Sequence, residues 1–383
     1  MNLMRVSILQ DQLAKALGMV SRAVESRSNL PVLQNVLLTT EDTQLRLSAT
    51  NLEMSISTSI GAKVERAGAI TLPARTFLEL VNALSPERVD LTLDAATQTV
   101  NVRCGATNSN IRGIAAVEFP VLPQIGEIDA ALPANLLKDM IRHTEFATAA
   151  EDSRPILTGI YVHFDGDNLT FAAADGYRLA VRTAKVEMPF DQPREVVIPA
   201  KAMRELARII PDDESLVSIS LPTERNLALF AIGSTVISTQ LLEGRFPDFG
   251  AIIPKSYSTS MVVSSIDLLR ACRRAEIFAR DNNYSARLMI KPPSSAGERG
   301  EIVVIGRSTE RGDNEGVVDA SIEGEAMEVA FNIKYLIDVL NAMDTSTDPS
   351  IVIESKGAAY PGVLRPANRD DFIYVVMPMS LSR

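Results

Sequence analysis

The chain has 383 residues, 46% hydrophobic and 22% charged, which supplies apolar material for several cores and excludes a disordered chain. No run of about 18 apolar residues is present to span a bilayer, the start Met1-Asn2-Leu3-Met4-Arg5 lacks a leader's apolar stretch, and Cys104 and Cys272 cannot form a disulfide framework, so a cytoplasmic protein with reduced thiols and no membrane contact is expected. The formal charge of −10 means that any nucleic-acid partner requires a segregated basic surface.

In chain order, Leu13-Ala14-Lys15 heads an amphipathic stretch read as a helix over 11–24. Val32-Leu33-Gln34-Asn35-Val36 reads as strand-like, and Arg46-Leu47-Ser48-Ala49 alternates as a strand before Thr50-Asn51-Leu52. Leu72-Pro73-Ala74-Arg75-Thr76-Phe77-Leu78-Glu79-Leu80 opens a helix over 74–85, with proline where a helix start tolerates it. Val89-Asp90-Leu91-Thr92-Leu93 is a further strand, and Pro123-Gln124-Ile125-Gly126 closes a first domain at 1–125.

The second domain, 126–253, repeats the sequence of events. Leu136-Leu137-Lys138 heads a helix over 133–147, Ile156-Leu157-Thr158-Gly159-Ile160 matches the block at Val32, and Asp165-Gly166-Asp167-Asn168 is a turn. Ala173-Ala174-Asp175-Gly176 matches Ala49-Thr50-Asn51-Leu52, and Ile198-Pro199-Ala200-Lys201 opens a helix over 199–210, followed by the strand Val217-Ser218-Ile219-Ser220-Leu221. A junction near Ile253-Pro254 begins the third domain, 254–383. There Leu268-Leu269-Arg270 heads a helix over 265–280, Glu301-Ile302-Val303-Val304-Ile305 is a strand, and Glu310-Arg311-Gly312-Asp313-Asn314 is a turn. Phe331-Asn332-Ile333-Lys334-Tyr335 opens a helix over 332–343, which Asn332 can cap. The helix starts recur at offsets of 126 and 133, the leading Leu-x-Lys/Arg triplets at 123 and 132, and the strand blocks at 124. Registers that agree on about a third of the chain imply an internal triplication.

These six helices hold thirteen Lys and Arg against eight Asp and Glu, a net of +5 that leaves −15 for the remainder. The cations form stripes: Lys201, Arg204 and Arg208 at spacings of three and four, Lys138 and Arg142 at four, Arg273 and Arg280 at seven. Basic stripes with few aromatics suit phosphate contacts to duplex DNA and no base readout.

Catalysis finds little support. His143 and His163 stand in no triad or metal-ligand spacing, no Gly-rich phosphate loop occurs, and Asp212-Asp213-Glu214 and Asp370-Asp371 read as solvated turns. Asp175 invites a carboxylate role, yet its repeat partner is Asn51. An enzyme acting on DNA would need converging carboxylates for its metals, and a scaffold without nucleic acid would have no use for segregated positive helices.

Leu30-Pro31-Val32-Leu33, Leu72-Pro73-Ala74-Arg75, Asp175-Gly176-Tyr177-Arg178-Leu179-Ala180, Glu243-Gly244-Arg245-Phe246-Pro247-Asp248, Tyr335-Leu336-Ile337-Asp338-Val339-Leu340-Asn341-Ala342 and Tyr374-Val375-Val376-Met377-Pro378-Met379 together carry a resemblance. The chain resembles the bacterial DNA polymerase III beta subunit family, the sliding clamps, over essentially its full length. The resemblance implies an α+β fold of three tandem β-rich domains with two helices each, and a ring made by two subunits joined head to tail. It implies a non-catalytic processivity factor without cofactor or metal. The implied partners are double-stranded DNA bound without sequence preference, a second copy, the replicative polymerase alpha subunit, a separate ATP-driven clamp loader, and other polymerases and repair proteins.

By the same resemblance Arg27 and Arg75 contact DNA and Lys201 and Arg208 lie on an inner-face helix; Lys138 and Arg142 join them from the stripes. The stretch 151–156, which touches DNA in family members, carries Glu151, Pro155 and Ile156 where polar and aromatic residues are typical. The family's pocket for short apolar peptides of the Gln-Leu-x-Leu-Phe type maps onto Leu157, Gly176, Tyr177, Arg178, Leu179, Pro254, Asn332, Tyr335, Val375, Met377, Pro378, Met379 and Leu381. Within it Arg178, Asn332 and Ser380 are expected to form a polar rim; Ser380 stands where some members have arginine. Without the resemblance, Met377-Pro378-Met379 reads as a core-packing final strand. Ile277 and Phe278 are expected at the subunit seam, with apolar residues near Ile111 opposite.

Overall fold

In this computed structural model the described residues are 4–380, apart from 26–27, 152, 187–189, 191 and 296–297. The first repeat runs β1 (Arg5–Leu9), α1 (Gln10–Val20), β2 (Asn35–Glu41), β3 (Gln44–Thr50), β4 (Met54–Gly61), β5 (Lys63–Arg66), β6 (Ala69–Pro73), α2 (Ala74–Ala83), β7 (Arg88–Asp94), β8 (Thr99–Cys104), β9 (Thr107–Arg112) and β10 (Ile114–Ala115). The second runs β11 (Ala130–Pro133), α3 (Ala134–Arg142), β12 (Gly159–Asp165), β13 (Asn168–Ala174), β14 (Arg178–Lys185), β15 (Arg194–Pro199), α4 (Ala200–Ile209), β16 (Leu216–Ser220), β17 (Leu227–Ile232) and β18 (Thr235–Gln240). The third runs β19 (Thr259–Ser264), α5 (Ser265–Ala279), β20 (Ser285–Lys291), β21 (Gly300–Ser308), β22 (Gly312–Gly324), β23 (Met327–Asn332), α6 (Ile333–Ala342), β24 (Ser350–Ser355), β25 (Gly362–Pro366) and β26 (Phe372–Val376). Apart from the short β5 and β10, one order of strands around two helices occurs three times, as the offsets require.

Local chemistry sets the boundaries. Asn332 caps α6 by accepting from Lys334 N at 3.0 Å, and Ser264 caps α5 through Asp267 N at 3.4 Å. The helix expected over 133–147 stops at Arg142, where the Thr144 hydroxyl bonds the Met140 carbonyl at 2.8 Å and competes with the ladder. The block at Val32 is a strand only from Asn35. Pro31 fixes a 3-10 turn over Pro31–Gln34, and Pro155 fixes its counterpart over Pro155–Thr158.

Two compact units divide the chain, residues 1–136 with 205–241 and residues 137–204 with 242–383. In the first unit lie a sheet β5-β1-β7-β8-β9 and a sheet β10-β6-β2-β3-β4-β18-β17-β16-β11; in the second lies one sheet β15-β12-β13-β14-β26-β25-β24-β19-β22-β21-β20-β23. The units cut across the repeats because β4 pairs with β18 and β14 with β26, so ladders run from one repeat into the next. Both joins are antiparallel and share one register. Ile56 faces Ile237 and Gln240 N donates to Glu53 O at 2.8 Å; at the matching places Ala180 faces Tyr374 and Met377 N donates to Tyr177 O at 2.8 Å.

Candidate peptide cleft, basic helices and open strand edges

The cleft is built on the turn after β13. Asp175 Oδ1 accepts from Tyr177 N at 2.9 Å and Arg178 N at 3.0 Å, and Gly176 takes φ +95°. A Cβ at Gly176 would meet only the flexible end of the exposed Arg154 side chain, so it is the conformation that favours glycine. Asn51 makes the same turn in the first repeat, accepting from Glu53 N and Met54 N at 3.1 and 2.8 Å. Asp175 is therefore a turn residue, like its repeat partner Asn51.

The turn throws Tyr177 outward, 64% exposed, and folds Arg178 inward. Arg178 donates from Nε to Asp175 Oδ2 at 2.9 Å, from Nη1 to Asp338 Oδ2 at 2.6 Å and from Nη2 to the Phe146 carbonyl at 2.6 Å, while its guanidinium lies 4.3 Å over the Tyr335 ring. Burial works to lower the Arg178 pKa, but Tyr374, Asp338 and Asp175 outweigh it and the pKa rises. The expected polar rim thus loses a member: the Arg178 side chain is committed to holding α6 and the turn together.

Strand β26 ends at Val376, and Met377 is 42% exposed, so Met377-Pro378-Met379 is not a core strand. Met377 N is fixed to Tyr177 O, and Met379 N donates to Ala330 O at 2.7 Å, which suspends the segment between β14 and β23. A cleft of about 540 Å³ opens beside it. The structure brings Tyr177, Asn332, Tyr335, Met377, Pro378 and Met379 together there, as the resemblance implied. It adds Ser380 from the rim and three residues the sequence reading missed, Asn282, Asn283 and Ser285. Their only sequence signal is a turn-forming Asn pair after α5, and Asn283 and Tyr284 are indeed left-handed at φ 50° and 56°. Among the described residues no charged side chain lines this cleft.

Leu157, Leu179 and Val375 do not line it. They are buried in one cluster with Phe246 and Val363. Pro254 instead borders a second cavity of about 120 Å³ with Tyr257, Tyr360 and Pro361. Leu381 lies outside the described residues.

His143 is fully buried in an ionic network. Arg369 Nη2 donates to His143 Nε2 at 3.0 Å, which leaves Nδ1–H to donate to the Asp139 carbonyl at 2.8 Å. Arg182 Nη2 holds Asp139 at 3.0 Å and pairs with Asp371, and Arg369 holds Asp348 at 2.7 Å. Burial raises the Asp139 carboxyl, but His143 and Arg182 prevail and keep it well below the usual carboxylate range. Asp371, read from sequence as solvated, is thus a structural ion-pair partner. Among the described residues no group of three His, Cys, Asp or Glu is placed to hold a metal, and no helix is long and apolar enough to cross a membrane.

The basic residues sit where the stripes put them. On α4, Ala202, Met203 and Leu206 are buried while Lys201, Arg204 and Arg208 face solvent. Arg75 is 91% exposed and bonds Glu79 Oε1 at 2.9 Å; Arg208 bonds Glu205 at 2.6 Å and Arg142 bonds Asp139 at 3.0 Å. Lys138 is half-buried one turn before Arg142, and Arg27 lies outside the described residues. Arg75 and Glu79 are both exposed, so solvent screens that pair and Arg75 can exchange it for a phosphate at little cost, whereas Glu205 and Asp139 are mostly buried partners.

Two of the open strand edges correspond to the halves of the repeated join. β9 pairs with β8 alone, and residues 312–319 of β22 pair with β21 on one side only. A cavity of about 680 Å³ lies along this part of β22, lined by Val262, Val317 and Asp319 and by Asp267, Arg270 and Arg274 of α5. Ile277 is 50% exposed and Phe278 half-buried, consistent with a seam, but Ile111 is 7% exposed and faces the core. Ile111 itself is turned away from a seam, because β9 alternates and puts its one large apolar side chain inward.

Models of the DNA polymerase III beta subunit match most of the chain in three parts: the N-terminal domain over residues 4–123, the central domain over 131–248 and the C-terminal domain over 250–380. The beta sliding clamp of Synechococcus elongatus is 36% identical over 384 residues, 99% of this chain and 100% of the relative. That of Bacillus subtilis is 32% identical over 386 residues, 98% and 99% of the two chains. The crystal structure of the Bacillus subtilis DNA polymerase sliding clamp superposes with a TM-score of 0.92 at 30% identity, covering 99% of this chain and 100% of that one. The Pseudomonas aeruginosa DNA polymerase III subunit beta gives 0.90 at 28% identity, again over 99% and 100%. With a triplicated clamp fold and family matches along its full length, the chain belongs to the DNA polymerase III beta subunit family, the beta sliding clamps.

Proposed function

We propose that two copies of this chain close head to tail around duplex DNA and tether polymerases to it, so that the protein acts as a processivity factor and not as an enzyme. The domains are 1–125, 126–253 and 254–383, and the location is cytoplasmic. The observation that carries the reading is the repeated join. β4–β18 and β14–β26 use one register, while β9 and β22, the strands that correspond to the two halves of that join, are left open. A head-to-tail pair completes the same join twice more and closes with two-fold symmetry. Exposed Arg103 beside one edge and Glu315 on the other favour that pairing.

The lumen reading rests on the helices. Arg27, Arg75, Lys138, Arg142, Lys201 and Arg208 contact phosphates, so affinity falls steeply with salt and ignores sequence. Partners (the replicative polymerase alpha subunit, the clamp loader, other polymerases and repair proteins) dock short apolar peptides in the cleft around Tyr177, Asn332, Tyr335 and Met377. Its exposed methionine beside uncharged polar groups supports adaptable, apolar recognition. The test is retention on nicked circular DNA in gel filtration, before and after linearisation. A topologically held ring is lost from linear ends; retention on both forms refutes encirclement.

A further inference from the structure

The repeats give the closed seam a residue-level register. In β18 and β26, Ile237 and Tyr374 are reached by stepping across three ladders from the residue four places before each repeat's first helix, Ala130 and Met261. The same steps from Val6, through Leu91 and Val102, end on Ser109 of β9. On the other edge Ile56 faces Ala49, Ala180 faces Ala173 and Asn314 faces Gly306. Ser109 of one subunit therefore corresponds to Ile237 and Tyr374, and Asn314 of the partner subunit to Ile56 and Ala180.

Asn314 carries an anomaly that bears on this register. In the single chain its side-chain Oδ1 is turned inward, sealed from solvent, and accepts no hydrogen bond, so the side chain must turn toward the strand edge for a partner to satisfy it. A buried polar atom without a partner costs about 1–3 kcal/mol, and such atoms are rare in native folds. Gln240 N–Glu53 O marks the hydrogen-bonded positions of the β4–β18 ladder, and Ile56–Ile237 falls one step off them. The matching Ser109–Asn314 position is thus a non-hydrogen-bonded pair, where opposite Cα atoms are about 4.5 Å apart and side chains meet most closely. Polar pairs already join opposite residues in that ladder: Ser55 Oγ lies 2.6 Å from Ser238 Oγ, and Thr58 Oγ1 2.9 Å from Thr235 Oγ1.

We propose that Ser109 of one subunit hydrogen-bonds Asn314 of the partner subunit at each seam, satisfying the orphaned side chain and fixing the register in which the ring closes. The inference rests on the head-to-tail reading above and adds its pairing partner. A hydroxyl can donate or accept, so the bond forms whichever way the Asn amide is turned. A slip of one residue would turn Ser109 to the other face, and a slip of two would leave Asn314 unpaired again, which makes the pair a register pin.

Sedimentation of the wild-type chain comes first: a monomer at micromolar concentration overturns both the ring and the pin. Given a dimer, Ser109→Cys combined with Asn314→Cys is oxidised mildly and run on a non-reducing gel, with Ser109→Cys combined with Glu315→Cys as the displaced control. The proposal expects a covalent dimer from the first pair only. A dimer that cross-links through the displaced pair, or through neither, overturns the pin and leaves the ring standing. In parallel, Ser109→Ala weakens the dimer by about tenfold or more per seam, and adding Asn314→Ala recovers part of the loss because the orphan is removed with its partner. Purely additive losses count against the bond.

Discussion

Arg178 distinguishes two accounts of the cleft, because a rim donor and a scaffold residue fail differently. The guanidinium is 9% exposed and spends its Nε, Nη1 and Nη2 groups on Asp175, Asp338 and the Phe146 carbonyl. Removing one partner of a buried pair costs about 3–5 kcal/mol when the other charge stays buried. Asp175 is 13% and Asp338 35% exposed, so water can recover part of that, and Arg178→Met is expected to cost about 2–4 kcal/mol. The loss is a large share of the ~5–15 kcal/mol that stabilises a typical domain. Peptide affinity should fall with it by about tenfold or more, since the cation over the Tyr335 ring that sets one wall of the cleft is gone. Asp338→Asn keeps shape and hydrogen bonding and should fall between the two. Urea unfolding and peptide calorimetry on the same preparations decide it. If Arg178→Met loses peptide binding while its unfolding midpoint hardly moves, Arg178 touches the ligand directly and the scaffold account is wrong.

Four further outcomes are expected. Deleting residues 379–383 removes Met379 and Ser380 from the cleft and should abolish peptide binding while sedimentation still gives a dimer, because the open edges lie at β9 and β22. Arg75→Ala with Arg208→Ala should weaken DNA binding equally for all sequences and lower the salt slope by about 1–2, with unfolding unchanged; an altered sequence preference would argue for base readout. Peptide affinity should be nearly constant from low to high salt, since no charged side chain among the described residues lines the cleft, and a slope like that of DNA would place the peptide elsewhere. Asp139 has its carboxyl pKa depressed in the fold, so its contribution is complete above the unfolded value near ~4 and is lost as pH falls below it. The stability gap between wild type and Asp139→Asn should therefore shrink between about pH 5 and pH 3, and a gap independent of pH would count against the network.

What the sequence disclosed and what it hid follow from the range of the interactions. The six helices depend on neighbours within a few positions, so periodicity and caps reveal them, whereas the turns at Asn51 and Asp175 show in the sequence only as parts of a repeated strand-like block. The repeat offsets set Asp175 apart from a catalytic carboxylate. Arg178 was misjudged because its partners are remote: Asp338 lies 160 residues away, and no local pattern announces the pairing. The same holds for Leu157, Leu179 and Val375, apolar residues whose assignment to a wall or a core depends on strands from two repeats. Ile111 shows the opposite failure. Its alternation within β9 was readable, and it alone points the side chain inward.

The two joins within the chain share a backbone plan but differ in chemistry, and the difference bears on the seam. Opposite residues of β4 and β18 meet through neutral hydroxyls, whereas at the corresponding place near β14 and β26 Arg182, Asp139, His143, Arg369, Asp348 and Asp371 form a buried ionic network. Both joins form within one polypeptide, so neither bears the cost of bringing two molecules together. A seam between subunits does, and it must also part when DNA enters a ring. Separating buried ion pairs would strand charges and make closure depend on salt and acid. Small uncharged groups strand no charge when apart, at most an unpaired neutral dipole such as that of Asn314, and re-form by a rotamer change. Ser109, Asn314 and Gly316 at the open edges are of that kind, with Ile277 and Val317 exposed nearby to supply apolar area. The charged residues stand around the edge, at Arg103 and Glu315, where water remains available to them when the seam is open. Such an arrangement steers two edges together through the charges and fixes their register through the neutral pair.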